Sequence, residues 1–325
     1  MSRVAVVFTG GTISMRVDAV AGGAVPALDG AALLAATPGL AGIAELVPID
    51  WGLVPASHLS FAQILDLAKT VERALDDDVD GAVVVQGTDV IEETSFALDL
   101  LVASEKPVVV VGAMRTADSA DADGRANLRD AVRCAAHPEL RGQGTVVVLA
   151  GSILPADDAV KMDSRRLDAF TAPNLGSLGE VDESGVRVDG DRRQRRRLSE
   201  PVATAAEPIP LVYATVALDG EPVRVWRERE PRGFVIAATG SGNTHPDLLE
   251  ACREEIAHGR PVVLASRCPS GGVRPDYAFP GGGATWRDAG AILAGTLSAP
   301  KARVALALGL GAGLEEERLR ALITG

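Results

Sequence analysis

Two glycine-flanked threonines are the residues of this chain best suited to chemistry. Thr9-Gly10-Gly11-Thr12-Ile13 follows an apolar run at residues 4–8, and Gln86-Gly87-Thr88-Asp89 follows another at residues 81–86. A threonine hydroxyl is a weak nucleophile until a positioned base or charge activates it. The glycines beside it let the backbone turn sharply and a substrate approach closely. Each fragment also has an ordinary reading. TGGT is more often a tight turn than a catalytic loop, and Asp89 could cap the helix that Glu92 and Glu93 enter, where the macrodipole favours acids. Lys161, in Asp157-Asp158-Ala159-Val160-Lys161, reads by itself as a surface lysine in a polar loop. Other chemistries fail on spacing. No GxGxxG follows the first strand, and neither a GxxxxGK[ST] phosphate loop nor a GxSxG elbow is present. His58, His137, His245 and His258 are scattered without metal-ligand spacing, so no metal or other cofactor is expected.

The elements that must position these threonines are strands apolar on both faces. Residues 4–8, 81–86, 107–112 and 145–150 are near-continuous apolar runs of strand length. Amphipathic helical patterns at residues 59–75, 91–103 and 125–136 lie between them. This alternation predicts an α/β fold with a parallel sheet and right-handed crossovers. In such a sheet, ligands collect where carboxyl ends of strands lead into helices, which is where both threonines fall. The pattern lapses near residues 189–210, at Arg192-Arg193-Gln194-Arg195-Arg196-Arg197 and a following stretch rich in Pro and Ala. It resumes with strands expected at residues 211–217, 234–238, 261–265 and 304–310 and helices at 246–258 and 314–323. The expected organisation is a larger N-terminal domain at residues 1–190, a linker at 191–209 and a smaller C-terminal α/β domain at 210–325.

Composition narrows the function classes. Hydrophobic residues make up 47% of the 325, enough for a sizeable core, but aromatics are only 3%, so that core must be aliphatic. With 44 acidic against 32 basic side chains the net charge is −12, which repels phosphate backbones. The arginine run has no interleaved aromatics for base stacking and reads as a solvated hairpin or linker, so no nucleic-acid partner is expected. No apolar stretch approaches the roughly 18 residues a membrane span needs. Cys134, Cys252 and Cys268 are odd in number and widely spaced, which favours buried reduced thiols in a reducing compartment. The opening apolar run is shorter than the ~7–15 residues of an export signal. A cytoplasmic location is the expectation.

Taken together, these motifs resemble the bacterial-type L-asparaginases of the asparaginase/glutaminase family. Thr9-Gly10-Gly11-Thr12-Ile13 is similar to the first family signature, and the stretch from Gln86 through Glu92-Glu93-Thr94 is similar to the second, usually written HGTDTMEETA. Ordered blocks follow at residues 107–115 (PVVVVGAMR), Asp123-Gly124 with Asn127-Leu128, Val160-Lys161, and Gly295-Thr296-Leu297 before Lys301-Ala302-Arg303. The resemblance spans essentially the whole chain. It implies a two-domain asparaginase-like fold and hydrolysis of L-asparagine to L-aspartate and ammonia through a threonine acyl-enzyme, without a cofactor. By position, Thr12 matches the nucleophile, and Thr88, Asp89 and Lys161 match a second polar relay. Gly11, Gly87 and Ala113 match backbone contacts to the substrate, and Ser57 its α-carboxylate contact. Asn243 or His245 matches the contact to the amino group. The resemblance also implies a homodimer or homotetramer with each active site completed by a neighbouring subunit.

Several positions depart from the family. The stretch at residues 16–28 has no tyrosine to assist the nucleophile, and Tyr213 and Tyr277 are the only tyrosines, so Tyr277 stands as a possible substitute. Ala56 precedes Ser57 where the family has two polar residues. Gln86 and Val90 replace a histidine and a threonine. Pro280-Gly281-Gly282-Gly283-Ala284 lacks the amino-group-binding acid, for which Asp276 could compensate. These departures leave two alternatives open: a glutaminase or other ω-amide amidohydrolase, and a catalytically impaired amino-acid-binding relative.

Overall fold

Valine-rich runs with helical segments between them dictate a sheet covered on both faces. Residues 1–189 and 195–325 are described by a computed structural model, which forms two compact units, Met1–Arg195 and Arg196–Gly325. Gly190, Asp191, Arg192, Arg193 and Gln194 lie outside the described residues. The expected boundary at residue 190 and half of the arginine run lie there too.

The strands of the first unit are β1 (Arg3–Phe8), β2 (Met15–Asp18), β3 (Gly23–Pro26), β4 (Glu45–Asp50), β5 (Gly81–Val85), β6 (Val108–Val111), β7 (Thr145–Leu149), β8 (Ser152–Pro155), β9 (Val160–Lys161), β10 (Phe170–Thr171), β11 (Gly179–Asp182) and β12 (Gly185–Val188). Its helices are α1 (Gly30–Ala35), α2 (Phe61–Asp76), α3 (Ile91–Leu101) and α4 (Gly124–Ala135). Eight strands make one sheet in the order β12-β11-β8-β7-β6-β5-β1-β4. The block from β4 to β7 is parallel, and β8, β11 and β12 extend it antiparallel. Alternate residues face opposite sides. Val4, Val6 and Phe8 pack with Val83, Val109 and Leu128 of α4, whereas Ala5 and Val7 pack with Val84, Val110, Val71 of α2 and Leu98 of α3. A capping box starts α2: Gln63 N–H donates to Ser60 Oγ at 3.3 Å and Ser60 N–H to Gln63 Oε1 at 3.0 Å. The pattern of apolar runs does not reveal β4, whose ELVPID sequence carries a proline. It is an edge strand, where a missing N–H is tolerated.

The second unit holds a four-stranded parallel sheet, β13 (Leu211–Tyr213), β14 (Phe234–Ala238), β15 (Val262–Ser266) and β16 (Ile292–Leu293), in that order. Its helices are α5 (Glu221–Arg227), α6 (Pro246–Ala257), α7 (Gly283–Asp288), α8 (Ala299–Gly311) and α9 (Glu316–Thr324). The strand expected at residues 304–310 is instead the body of α8, which packs on β14 and β15 and against α9. Val304 through Gly309 are all buried, so the run is apolar all round and has no period to read. Its alanines and leucines favour helix, and Pro300 sits in the first turn, where a missing N–H does no harm. The cysteines also differ from expectation: Cys134 and Cys252 are buried, but Cys268 is exposed.

An ion pair ties the end of the first unit to α3. Arg195 Nη2 lies 2.8 Å from Asp99 Oδ1, with side-chain exposures of 5% and 1%. The same carboxylate oxygen accepts Thr145 N–H at 2.8 Å. Removing one partner of a buried pair leaves the other charge stranded, at a cost of about 3–5 kcal/mol. Chemical denaturation of Arg195→Ala is expected to show a loss of that order, and a loss under about 1 kcal/mol would show that the pair does not hold the segment. Burial pushes the Cys134 and Cys252 thiols up, so a thiol-reactive chromophore is expected to label Cys268 alone until the protein unfolds.

Candidate active site

Strand order fixes where a site can form. From β1 the chain passes to β4 on one side and then to β5 on the other, so the crevice at the topological switch point opens beyond the carboxyl ends of β1 and β5. Thr9–Ile13 leaves one of these ends and Gln86–Asp89 leaves the other. Thr9 N–H and Oγ1–H both donate to the Val85 carbonyl at 3.0 Å, stitching the two exits together.

The next residues touch backbone to backbone. A Cβ on Gly11 would lie 2.2 Å from Gly87 N and 2.5 Å from Gly87 Cα, and Gly11 has φ +99°. Only glycine satisfies both the space and the dihedral. Gly11 caps a short 3₁₀ turn, Thr12–Ser14, in which Ile13 is buried and Ser14 Oγ donates to the Gly11 carbonyl at 2.8 Å. Thr12 is thereby left half-buried at the head of the turn. A second 3₁₀ turn, Thr88–Val90, precedes α3. Asp89 does not cap that helix: no side-chain cap bond forms there, and its carboxylate is turned to a lysine instead.

That lysine is Lys161. It lies on β9, which pairs antiparallel with β10 through Phe170↔Lys161 and Thr171↔Val160. Its Nζ donates to Thr88 Oγ1 at 2.9 Å and lies 3.5 Å from Asp89 Oδ1. Thr88 is 5% exposed, the Lys161 side chain 18% and the Asp89 side chain 65%. A nearly buried hydroxyl with an ammonium on its oxygen is electrostatically biased toward releasing its proton. Asp89, open to solvent, balances the charge at the outer edge.

Ser57 is exposed on a turn, Ala56–His58, whose Ala56 Cβ would be 3.0 Å from a Cβ on Gly87. Ala113 is buried beyond β6, after Gly112, where a Cβ would meet the Thr88 methyl at 2.8 Å. The structure thus brings Gly11, Thr12, Ser57, Gly87, Thr88, Asp89, Ala113 and Lys161 to one end of one sheet. Asn243, His245 and Tyr277 belong to the second unit. Asn243 Oδ1 is buried and has no hydrogen-bond partner among the described residues. His245 is spent locally, its Nδ1 accepting Asp247 N–H at 3.2 Å at the start of α6. Tyr277 is exposed, its ring centroid 5.6 Å from that of Phe279. Among the described residues, no group of three or more His, Cys, Asp or Glu is placed to hold a metal ion.

Sequence reasoning found no role for Asp123 and Asn127. The Asp123 carboxylate accepts Met114 N–H and Arg115 N–H, both at 2.9 Å, and Asn127 Nδ2–H at 3.0 Å. Asn127 also donates to the Gly112 carbonyl at 3.1 Å and accepts Ala150 N–H at 3.2 Å, joining the ends of β6 and β7. Their spacing of four residues on one helix face was the available signal.

Comparison with known proteins agrees along the chain. The family described as Asparaginase, N-terminal matches residues 3–194, and the Glutaminase/Asparaginase C-terminal domain matches residues 209–323. The chain belongs to the asparaginase family. It is 36% identical to a probable L-asparaginase of Deinococcus radiodurans, with 100% of this chain and 98% of that protein covered. It is 31% identical to a probable periplasmic L-asparaginase of Haemophilus influenzae, over 95% and 89% of the two chains. The crystal structure of a probable cytoplasmic L-asparaginase from Campylobacter jejuni superposes with a TM-score of 0.89 at 28% identity, covering 99% of each chain. Against the family signature, Gln86 is fully buried with its Nε2–H on Thr94 Oγ1 at 3.1 Å, so this substitution lies in the packing beneath the loop. No helix of the described residues is long and apolar enough to cross a membrane.

The glycine contact gives a direct check. Gly11→Ala puts a methyl into the Gly87 backbone at a left-handed φ, and is expected to remove activity and lower the melting temperature together. Full activity in that variant would show that the two loops do not need their contact.

Proposed function

We propose that this protein is an L-asparaginase, an amidohydrolase that converts L-asparagine to L-aspartate and ammonia. The observation that carries the reading is the Lys161–Thr88 hydrogen bond of 2.9 Å, made beside the loop of Thr12 at the switch point of the sheet. In this reading the Thr12 hydroxyl attacks the side-chain carboxamide carbon. A C–O bond forms, the carbonyl oxygen takes negative charge, and backbone N–H groups of the glycine loops and the Ala113 region stabilise it. Collapse breaks the C–N bond, ammonia leaves with the proton that the hydroxyl gave up, and an ester to Thr12 remains. Water, deprotonated through Thr88 with Lys161 and Asp89, then attacks the ester carbon; the acyl C–O bond to Thr12 breaks, aspartate leaves, and the proton taken from water restores the Thr12 hydroxyl. Every step draws on groups of the chain itself.

Ser57 holds the α-carboxylate and Gly11 and Gly87 allow close approach in the same reading. Asn243 or His245 contacts the amino group in the same reading, and Tyr277 stands in for the absent loop tyrosine. Assembly as a homodimer or homotetramer, with these C-terminal residues supplied by a neighbouring copy, belongs to the proposal. So does a cytoplasmic location, the one named for the Campylobacter jejuni relative. Glutaminase or other ω-amide activity is the second reading, favoured by Ala56 where a polar partner of Ser57 would sit and by the lack of an acid at residues 280–284.

Ammonia release from L-asparagine decides. Thr12→Ala and Thr88→Ala are each expected to lower kcat by about a thousandfold or more, and Lys161→Ala by roughly 10²–10⁴-fold, with folding unchanged by circular dichroism. Turnover retained in both threonine variants would overturn the catalytic assignment. Tight binding of unhydrolysed asparagine by the wild type would point to a binding protein instead, and the ratio of kcat/KM values across small amides separates asparaginase from glutaminase.

A further inference from the structure

Ala159, Ala169 and Phe170 are buried in the core beside Lys161 and Met162 N–H donates to the Ala169 carbonyl at 2.7 Å, so the hairpin is anchored at its base, but its tip needs a further tie. The β9–β10 ladder is two residues long on each side, and a ladder that short is not independently stable. The connection beyond it is exposed at Met162, Ser164, Arg165, Arg166 and Asp168. A four-carbon side chain on such a hairpin must still place its ammonium within hydrogen-bond reach of one hydroxyl.

The tie comes from the neighbouring loop. Arg115 Nη1–H donates to the Arg165 carbonyl at 2.7 Å, and its Nε lies 3.1 Å from Asp121 Oδ2. The guanidinium is therefore gripped at two points. Its backbone is fixed in turn, because Asp123 accepts the N–H groups of Met114 and Arg115. On the hairpin side, Asp163 Oδ1 accepts Arg165 N–H at 2.7 Å and Arg166 N–H at 2.9 Å, shaping the turn that offers the Arg165 carbonyl. Hydrogen bonds from Arg166 and Arg165 N–H hold the Asp163 carboxyl below its ordinary range.

We infer that Arg115 is a positioning residue for Lys161: by bridging the Asp121 carboxylate to the Arg165 carbonyl it locks the β9–β10 hairpin so that the ammonium stays on Thr88. Arg115 acts only through the lysine. The inference rests on the role given above to Lys161 and Thr88.

Ammonia release by the wild type is measured first; its absence would sink the asparaginase reading, while the structural arm below still tests the hairpin. In an active enzyme, Arg115→Ala is expected to lower kcat by about 10–100-fold with KM changed by less than about threefold, because displacement of a catalytic group by roughly 1 Å costs about that much. Arg115→Lys, which can still donate to the Arg165 carbonyl, is expected to recover part of the loss. In a Lys161→Ala background the Arg115→Ala change is expected to cost nothing more. A crystal structure of Arg115→Ala is expected to show Lys161 Nζ withdrawn from Thr88 Oγ1. Wild-type kcat, a loss that persists without Lys161, or an unmoved 2.9 Å contact would each overturn the inference. Should Arg115→Ala fail to fold, the exposed Asp121→Asn loosens the same guanidinium without touching either backbone. A several-fold fall in kcat at constant KM is then expected, and an unchanged kcat overturns the inference.

Discussion

Everything at this site depends on two backbones meeting where neither has a side chain. Gly11 and Gly87 approach so closely that a single methyl on Gly11 would fall inside the Gly87 peptide. That contact brings the two strand exits together, and Thr12 and Thr88 each head the short turn that follows one of the two glycines. The parallel sheet supplies the proximity, since the ends of β1 and β5 are neighbours bonded through Thr9 and Val85. The glycines convert proximity into contact. A larger residue at Gly11 would hold the loops apart, and a hydroxyl with no partner loop is an ordinary threonine.

The acidic surplus of the chain has a use that charge counting hides. Around the site, carboxylates serve as acceptors for backbone N–H groups. Asp123 holds the loop after β6, Asp158 accepts Asn174 and Leu175 N–H, and Asp163 shapes the hairpin turn. Asp118 accepts Val17 N–H at 3.0 Å and so joins the β2–β3 hairpin to the loop after β6. The hydroxyl of Thr116 and that N–H hold the Asp118 carboxyl below its usual range. Hydrogen bonds to a charged acceptor are stronger than neutral ones, so each acid fastens a loop that has no strand or helix of its own. A rigid loop is what a catalytic group carried on it requires.

Where local pattern and tertiary environment agree, the elements could be read directly. The helices α2 and α4 lie within a few residues of their expected places because each has a polar face, α3 does so although it is buried along most of its length, and the valine strands β5 and β6 are short runs bounded by turns. Where the environment is uniform, the pattern is silent. In α8 an apolar run buried on every side offers no period, and an expected strand is a helix. In β4 a proline disguises an edge strand. Cys268 is exposed although thiols are usually buried, because it follows β15 in a loop rather than lying in a helix as Cys134 and Cys252 do.

By itself the sequence determined the chemistry available: two threonines with glycine neighbours, an aspartate, a distant lysine, and strands apolar enough to put the first two at one end of a sheet. Such information is local, written in residue type and spacing. What only tertiary structure decided is which of these meet. Lys161 looks like a surface lysine until a two-residue ladder and an arginine from another loop carry its ammonium to Thr88. Asp89 looks like a helix cap until that ammonium is placed beside it. Contacts between residues far apart in sequence depend on the summed geometry of every intervening turn, and no short stretch of chain encodes that sum.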